Sequence, residues 1–239
     1  MHYTNTLAEW IARHGTQFSK LVPFDEGTDS VVPLDFTAAN TQLSPEIVAD
    51  TSLFSAYIQQ QLAGARYGIG GYNEHRTVYS RSSHFDTANG GEPRRLHLGV
   101  DIWCAEGTPV SAPVSGLVHS FAFNNNHGDY GATIILSHQL DGRSFYTLYG
   151  HLSIADLENV REGNYLVGGE VFAHVGPPSD NGNWPPHLHF QVIENIGTYI
   201  GDYPGVCRYS ERASYLSNCP DPGLILHPAT FSVPNIGGL

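Results

Sequence analysis

The chain has 239 residues, of which 41% are apolar, and its 23 Asp and Glu against 11 Lys and Arg give a formal net charge of −12. This acidic balance argues against a surface that binds nucleic acid or another polyanion. No apolar run reaches the roughly 18 residues that a membrane span requires. The first residues also lack the basic and apolar stretches of a secretion signal. We therefore expect a cytoplasmic protein, or a cell-envelope protein if a signal has been removed.

The first 65 residues carry two helical patterns. Residues 5–15 fit a short helix that ends at a glycine, and residues 44–62 fit a second, longer helix. Ser44 is a suitable N-cap for the second helix, and Pro45 suits its first turn. Residues 1–65 are therefore predicted to form a short helical N-terminal region.

From residue 97 to about residue 196 the sequence is a series of strand-like segments. GATIILSH, SFYTLYGHL and HLHFQVIE are rich in β-branched and aromatic residues, and NNNHGDYG and QLDGR have the composition of turns. The pattern predicts a mainly β fold with an antiparallel sheet as its core. We expect residues 66–200 to form this domain and the proline-rich tail, residues 201–239, to pack on it.

Histidines recur in this β region at spacings that suit a metal site. His187 and His189 stand one residue apart in a predicted strand, so both side chains face the same side of the sheet. Upstream, HLGVD contains His97 and Asp101, and LYGHLS contains His151. Histidine and aspartate are ordinary zinc ligands. With 13 histidines in the chain, one pair alone is a weak signal, and the ordered series of three motifs is the informative feature.

The spacing within HLGVD requires a bend. Four residues of straight strand span about 13 Å, which is too far for two ligands of one ion. The chain must therefore turn between His97 and Asp101, and we expect Gly99 to permit that turn.

In this order the motifs resemble the lysostaphin- and LytM-type zinc metallopeptidases. The resemblance runs from about residue 70 to about residue 194 and includes HLGVDIWCAEGTPVSAPVSGLV, GDYGATIILSH, YTLYGHLS, VREGNYLVGGEVFAHVG and PHLHF. It implies a fold that is mainly β, with an antiparallel β-sheet core of the lysostaphin/LytM type. The family's three zinc ligands correspond to His97, Asp101 and His189, and its two catalytic histidines correspond to His151 and His187. Three protein ligands leave one position of the Zn²⁺ ion for water.

The chain departs from the family's pattern near the last motif. Pro185 stands where family members usually have glycine, Gln191 stands where they usually have glutamate, and Trp184 lies beside the site. We expect these residues to line the substrate groove. Cys104 follows the first motif and could be a soft metal ligand, although a buried strand position is the better interpretation.

Two further features precede or follow the site. GGYNEHRTVY, which includes Arg76, matches a Gly-x-Arg segment that often precedes the first motif, and the glycine-rich sequence around it is a candidate cover for the site through Asn73, His75 and Asn89. Cys207 and Cys219 could form a disulfide, and reduced thiols are an equally good reading of the sequence.

The resemblance implies a zinc-dependent metallopeptidase that hydrolyses amide bonds in short peptides, with peptidoglycan stem or bridge peptides as the expected substrate. Two alternatives stay open: an intracellular zinc amidohydrolase with a non-wall substrate, and a non-catalytic binding or regulatory module. The presence of all five site residues counts against the second alternative. The hairpin sequences GTPVSAPVSGLV and EGNYLVGGEV also resemble biotinyl and lipoyl carrier domains, which need a lysine in a hairpin. That alternative is set aside because the only lysine, Lys20, lies outside these hairpins.

Overall fold

The structure, a computed structural model, describes residues 5–87 and 90–226. The strands are β1 (Val31–Leu34), β2 (Tyr67–Gly70), β3 (Leu96–His97), β4 (Val100–Trp103), β5 (Pro109–Ser111), β6 (Gly116–Asn124), β7 (Gly131–Leu140), β8 (Arg143–Leu152), β9 (Tyr165–Leu166), β10 (Val171–His174), β11 (His187–Ile193) and β12 (Val206–Cys207). The α-helices are α1 (Leu7–Arg13), α2 (Pro45–Ala49), α3 (Thr51–Leu62) and α4 (Arg212–Asn218).

Eight of these strands form one twisted sheet in the order β1-β2-β4-β11-β8-β7-β6-β9. Its neighbouring strands are antiparallel except for β1 and β2, which run parallel at one edge. Strand β5 pairs with β10, and β3 pairs with β12, in two small sheets beside it. The predicted mainly β fold with an antiparallel core is therefore confirmed. The parallel edge pair was not predicted, because β1 lies in residues 1–65, which were predicted to be a helical region.

The two central strands β4 and β11 are buried on both faces. Side chains alternate across a strand, and one face of the pair supplies Val100, Ile102, Leu188 and Phe190 to the main hydrophobic core. The opposite face carries the polar residues Asp101, His187 and His189, together with Trp103. The sheet therefore anchors these strands through one face and presents the site from the other.

The second predicted helix is in fact two helices, α2 and α3. Ser44 caps α2 by accepting a hydrogen bond from the backbone amide of Ile47, as expected. Asp50 breaks the pattern because its backbone is extended and its carboxylate accepts hydrogen bonds from the backbone amides of Ser52 and Leu53. A short polar side chain that can cap a new helix competes with continuation of the previous one.

Helix α3 packs on the face of the sheet that carries the site. Phe54 is fully buried, and its ring centroid lies 5.8 Å from that of Trp103 and 6.3 Å from that of Trp184. The N-terminal region thus contributes both a strand, β1, and a helical cover to the β domain. The division into segments 1–65, 66–200 and 201–239 stays a prediction.

The described part of the C-terminal tail lies against the sheet. Strand β12 pairs with β3, and Ile225 and Leu226 are buried in the main core. Residues 227–239 of the predicted tail lie outside the described residues. The thiols of Cys207 and Cys219 are free and buried, so the structure contains the reduced form. Within residues 5–87 and 90–226, the helices are too short or too polar to cross a membrane.

We predict that Phe54→Ala destabilises the protein by about 3–5 kcal/mol, the usual effect of removing a buried phenylalanine. The matched control is Leu53→Ala on the same helix, where the side chain is 51% exposed and a change within about 0.5 kcal/mol is expected. Urea unfolding measures both. Equal effects of the two substitutions would contradict the packing described for α3.

Candidate metal centre

Three side chains converge on one point at the centre of the sheet. Nε2 of His97 lies 3.0 Å from Nδ1 of His189 and 3.2 Å from Oδ1 of Asp101, and the last two atoms are 3.1 Å apart. Ligand atoms held about 2.1 Å from a tetrahedral zinc ion are separated by about 3.4 Å. The three atoms therefore need only small shifts to share one ion, and two imidazoles and a carboxylate are a donor set that suits zinc.

The sheet supplies two of these residues as direct partners. His189 on β11 is opposite Asp101 on β4 in the antiparallel register. His97 comes from β3, which pairs with β12 in a separate small sheet. The chain thus changes sheets between His97 and Asp101, and this is the bend that the sequence required.

Gly99 lies in that bend, as predicted, and the structure shows a second reason for a glycine there. The residue does not have the positive φ that glycine alone adopts readily. A Cβ atom at Gly99 would instead lie 2.5 Å from Cε1 and 2.7 Å from Nε2 of His189. Glycine is required because the imidazole of a candidate ligand passes directly over the backbone.

A hydrogen bond orients the imidazole of His97. Its Nδ1 donates to the backbone carbonyl of Gly71 over 2.9 Å, which leaves the lone pair of Nε2 for a metal. Burial, reinforced by the charge of Arg76, lowers the pKa of His97 to about 4. The ring is therefore neutral at pH 7, which is the form that binds metal ions.

The second oxygen of Asp101 accepts a hydrogen bond from the guanidinium of Arg76. Arg76 is 2% exposed and also pairs with Glu74 over 2.6 Å. Burial alone would raise the pKa of Asp101, but its interactions with the His97 ring and with the charged guanidinium of Arg76 hold it well below its usual value. The sequence resemblance pointed to Arg76 as part of a motif, and the structure shows that it compensates the buried carboxylate.

His151 and His187 lie beside this cluster and are held by backbone carbonyls. Nδ1 of His151 donates to the carbonyl of Asn181, and Nδ1 of His187 donates to that of Pro185, each over 2.8 Å. The two ring centroids are 4.1 Å apart, and the His187 ring stacks on Trp103. In each ring Nε2 is then the atom that can accept a proton.

Both of these rings are neutral at pH 7. Burial lowers the pKa of His187 to about 4, and burial together with the neighbouring His187 holds the pKa of His151 well below its usual value. His151 also has a φ of 63°, an uncommon conformation for a residue with a side chain. Backbone strain of this kind concentrates at functional sites. Its amide and carbonyl are held by Tyr130 and Gly176.

A cavity of about 130 Å³ is lined by four of the five residues, Asp101, His151, His187 and His189. Tyr79 and Phe85 also line it. The segment 202–206 contributes further lining residues. The cavity therefore brings together the sheet, the region upstream of the first motif and the start of the C-terminal tail.

The expected groove residues divide into two groups. Trp184 lines the cavity, as predicted. The prediction for Gln191 is wrong, because its side chain is fully buried and bonds to His189, Pro204 and Cys219. Pro185 is also buried, and its carbonyl orients His187.

The residues expected to cover the site have other contacts. The side chain of Asn73 accepts a hydrogen bond from Arg212 over 2.8 Å, and the ring of His75 packs against Tyr209. Asn89 lies outside the described residues. The region upstream of the first motif does reach the cavity, but through Tyr79 and Phe85.

Cys104 is a buried residue and not a ligand. Its side chain belongs to the main hydrophobic core, and its thiol donates to the carbonyl of Ile102. Burial raises the pKa of the Cys104 thiol to about 12, so it stays protonated and does not serve as a thiolate donor.

Residues 95–200 match the sequence profile of peptidase family M23. This segment contains all five site residues, so the similarity to peptidase family M23 covers the whole candidate site. The flanking regions, which contribute β1, β2, α3 and β12, lie outside the matched segment.

Curated relatives are similar over about half of the chain. The chain is 36% identical over 129 residues to the DD-carboxypeptidase/endopeptidase Mpg of Neisseria meningitidis serogroup B. This alignment covers 53% of the chain and 27% of that protein. It is 31% identical over 127 residues to the L-Ala–D-Glu endopeptidase of Bacillus subtilis, covering 51% of the chain and 37% of that protein. The chain thus spans well under half the length of these two relatives.

A solved structure with similarity is the catalytic domain of the antimicrobial peptidase lysostaphin from Staphylococcus simulans. The two chains are 26% identical, and their alignment covers 53% of this chain and 81% of the lysostaphin domain, with a TM-score of 0.34.

We predict that Gly99→Ala weakens zinc binding by about 10- to 100-fold, the range found when the orientation of a ligand is disturbed. The added methyl group must displace the ring of His189. Gly15→Ala is the control, because a Cβ there meets nothing within 4 Å. Competition with a chelator measures both affinities, and unchanged binding by Gly99→Ala would contradict the close approach.

We also predict that the metal-free protein loses stability as the pH falls from about 6.5 to about 4. The folded-state pKa of His97 and of His187 is lowered to about 4, mainly by burial, whereas the unfolded value is about 6.5. Between these values the unfolded chain binds more protons, so acid favours it. The urea midpoint at each pH, measured with a chelator present, should fall across this window. A constant midpoint would exclude neutral buried rings.

Proposed function

We propose that this protein is a zinc-dependent metallopeptidase that hydrolyses amide bonds in short peptides, and that His97, Asp101 and His189 bind the zinc ion. The observation that carries the proposal is the convergence of two imidazole nitrogens and a carboxylate oxygen within 3.2 Å of one another. In a buried site without a metal, three such atoms would be poorly satisfied, because two imidazole lone pairs and a carboxylate oxygen would face one another.

Zinc held at this site supplies a Lewis acid and makes the attacking water more acidic. The protein's own contribution begins with His151 and His187. Both are neutral, and the backbone carbonyls of Asn181 and Pro185 hold their Nδ1 protons, so Nε2 of each ring can accept a proton from water. Once protonated, either ring can donate a hydrogen bond to the oxygen on which negative charge develops.

The burial of the histidines favours this chemistry in a second way. Three histidines line the cavity, and each is at most 5% exposed. Interactions between charges are stronger where water is excluded, so a protonated histidine stabilises a nearby oxyanion better there than at the surface. The stacked ring of Trp103 and the packing of Trp184 keep the His187 imidazole in one orientation.

The proposed substrate class is the stem or bridge peptide of peptidoglycan. Support comes from two similar proteins whose names specify a DD-carboxypeptidase/endopeptidase and an L-Ala–D-Glu endopeptidase. Both names describe peptide bonds that involve D-amino acids. Digestion of purified muropeptides followed by mass spectrometry identifies the bond that is cut. No cleavage of these fragments, together with cleavage of another amide, would favour the non-wall amidohydrolase.

We expect the five site residues to separate into two classes on substitution. Replacing His97, Asp101 or His189 with alanine removes a ligand, so zinc and activity should be lost together. Replacing His151 or His187 with alanine should leave zinc bound and reduce turnover by about 10²- to 10⁴-fold, the usual effect of a positioned acid or base. Paired measurements of zinc content and turnover on one peptide test this.

His174→Ala is the matched control, because that side chain is 45% exposed and pairs with Asp156 away from the cavity. It should retain both zinc and activity. Full activity in both His151→Ala and His187→Ala would exclude the proposed mechanism. Bound zinc without hydrolysis of any peptide in the wild-type protein would instead indicate a binding or regulatory module.

A further inference from the structure

The side chain of Gln191 bridges a candidate zinc ligand and the C-terminal segment. It is fully buried, and its Oε1 lies 3.1 Å from Nε2 of His189. Its Nε2 donates to the carbonyl of Pro204 over 3.2 Å and to Sγ of Cys219 over 3.3 Å. Gln191 follows His189 by two residues on β11, so both side chains are on the same face of the sheet.

The contact with Pro204 fixes the orientation of this amide. One end of a glutamine side chain only donates hydrogen bonds, and the other end only accepts them. A backbone carbonyl only accepts, so the amino group of Gln191 must face Pro204. Its carbonyl oxygen must then face His189.

This orientation in turn fixes the proton on His189. Because Oε1 of Gln191 can only accept, its contact with His189 is a hydrogen bond only when Nε2 of His189 carries the proton. Nδ1 then carries the lone pair, and Nδ1 is the atom that lies among the other candidate ligand atoms. In His97 the roles are reversed, since the carbonyl of Gly71 holds Nδ1–H and Nε2 faces the cluster.

A second side chain supports the same arrangement from the other side. The hydroxyl oxygen of Tyr130 lies 3.4 Å from Nε2 of His189, and the hydroxyl group donates to the carbonyl of Tyr203 over 3.2 Å. The carbonyls of Tyr203 and Pro204 are consecutive in the chain. These two carbonyls therefore hold the Tyr130 hydroxyl and the Gln191 amide, whose oxygens both face Nε2 of His189.

The backbone of residues 203–205 passes very close to Tyr130, the side chain that contacts His189. A Cβ atom at Gly205 would lie 1.8 Å from the hydroxyl oxygen of Tyr130, so the sequence needs glycine there. Residues 202–206 also line the cavity. Residues 202–206 thus contact both the side chains that hold His189 and the cavity beside the candidate metal centre.

We propose that Gln191 is a positioning residue: held by the carbonyl of Pro204, its amide fixes the tautomer of His189 that offers Nδ1 to the metal. The proposal rests on the zinc site of the proposed function. It also accounts for glutamine at this position. A carboxylate could accept from His189, but it would place a negatively charged oxygen against the carbonyl of Pro204, where an amide donates.

The first test is spectroscopic and uses the metal-free, full-length protein. Long-range ¹H–¹⁵N correlation of the imidazole nitrogens reports which nitrogen carries the proton. We expect wild-type His189 to be protonated at Nε2 and Gln191→Met to show a mixture of both tautomers. A wild-type ring that is protonated at Nδ1 overturns the proposal without the need for any variant.

The second test compares zinc affinities by chelator competition. Gln191→Met removes the acceptor and should weaken zinc binding by about 10- to 100-fold. Gln191→Glu keeps an acceptor, so its affinity should stay within about tenfold of wild type, with thermal stability reduced by the lost contact to Pro204. Gln139→Met is the matched control, because Gln139 is exposed on β7, and no change in affinity is expected.

The outcomes separate this inference from the proposed function. Wild-type affinity in Gln191→Met, or an equal loss in Gln191→Met and Gln191→Glu, overturns the positioning role while the zinc site stands. A wild-type protein that takes up no zinc overturns the proposed function, and the tautomer measurement still decides how Gln191 orients His189. If Gln191→Met does not fold, Gln191→Leu and the wild-type spectrum decide.

Discussion

The pairing of β4 with β11 is the constraint on which the remaining structure depends. The antiparallel register places His189 opposite Asp101, and alternation of side chains sends Ile102 and Leu188 to the hydrophobic core on the other face. A slip of one residue would reverse both assignments at once. The same apolar contacts that stabilise the fold therefore also determine the geometry of the candidate metal centre, and no flexible loop is needed to bring these two candidate ligands together.

Buried charge is the second demand on this arrangement. Asp101 lies in the interior, and an isolated carboxylate there would be strongly destabilising. The positive charge of Arg76 compensates Asp101, and Glu74 also pairs with Arg76, so the three side chains form one connected network of ion pairs. Arg76 comes from the region before the family-matching segment. The ligand and its counter-charge are thus supplied by different parts of the chain.

Sequence reasoning succeeded where the pattern is local and periodic. Alternation predicted that His187 and His189 share a face, and motif order predicted the partners that the structure brings together. It failed where a residue acts through a distant contact. Gln191 was expected to line the groove because only the fold brings Pro204 and Cys219 to it. The bend at Gly99 was expected, but the close approach of His189 is not visible along the chain. The break at Asp50 was missed because capping competed with a continuous helical pattern.

The position of β2 has a consequence for how small a working fragment can be. Strand β2 hydrogen-bonds to the edge of β4 that β11 does not occupy, and α3 covers the aromatic side chains on that face. A fragment limited to residues 95–200 would leave that edge of β4 free to pair with other chains. It would also expose Trp103 and remove Arg76, which compensates the charge of Asp101. The structural unit around the candidate site is accordingly larger than the segment 95–200, and a fragment that keeps these contacts must begin ahead of β1.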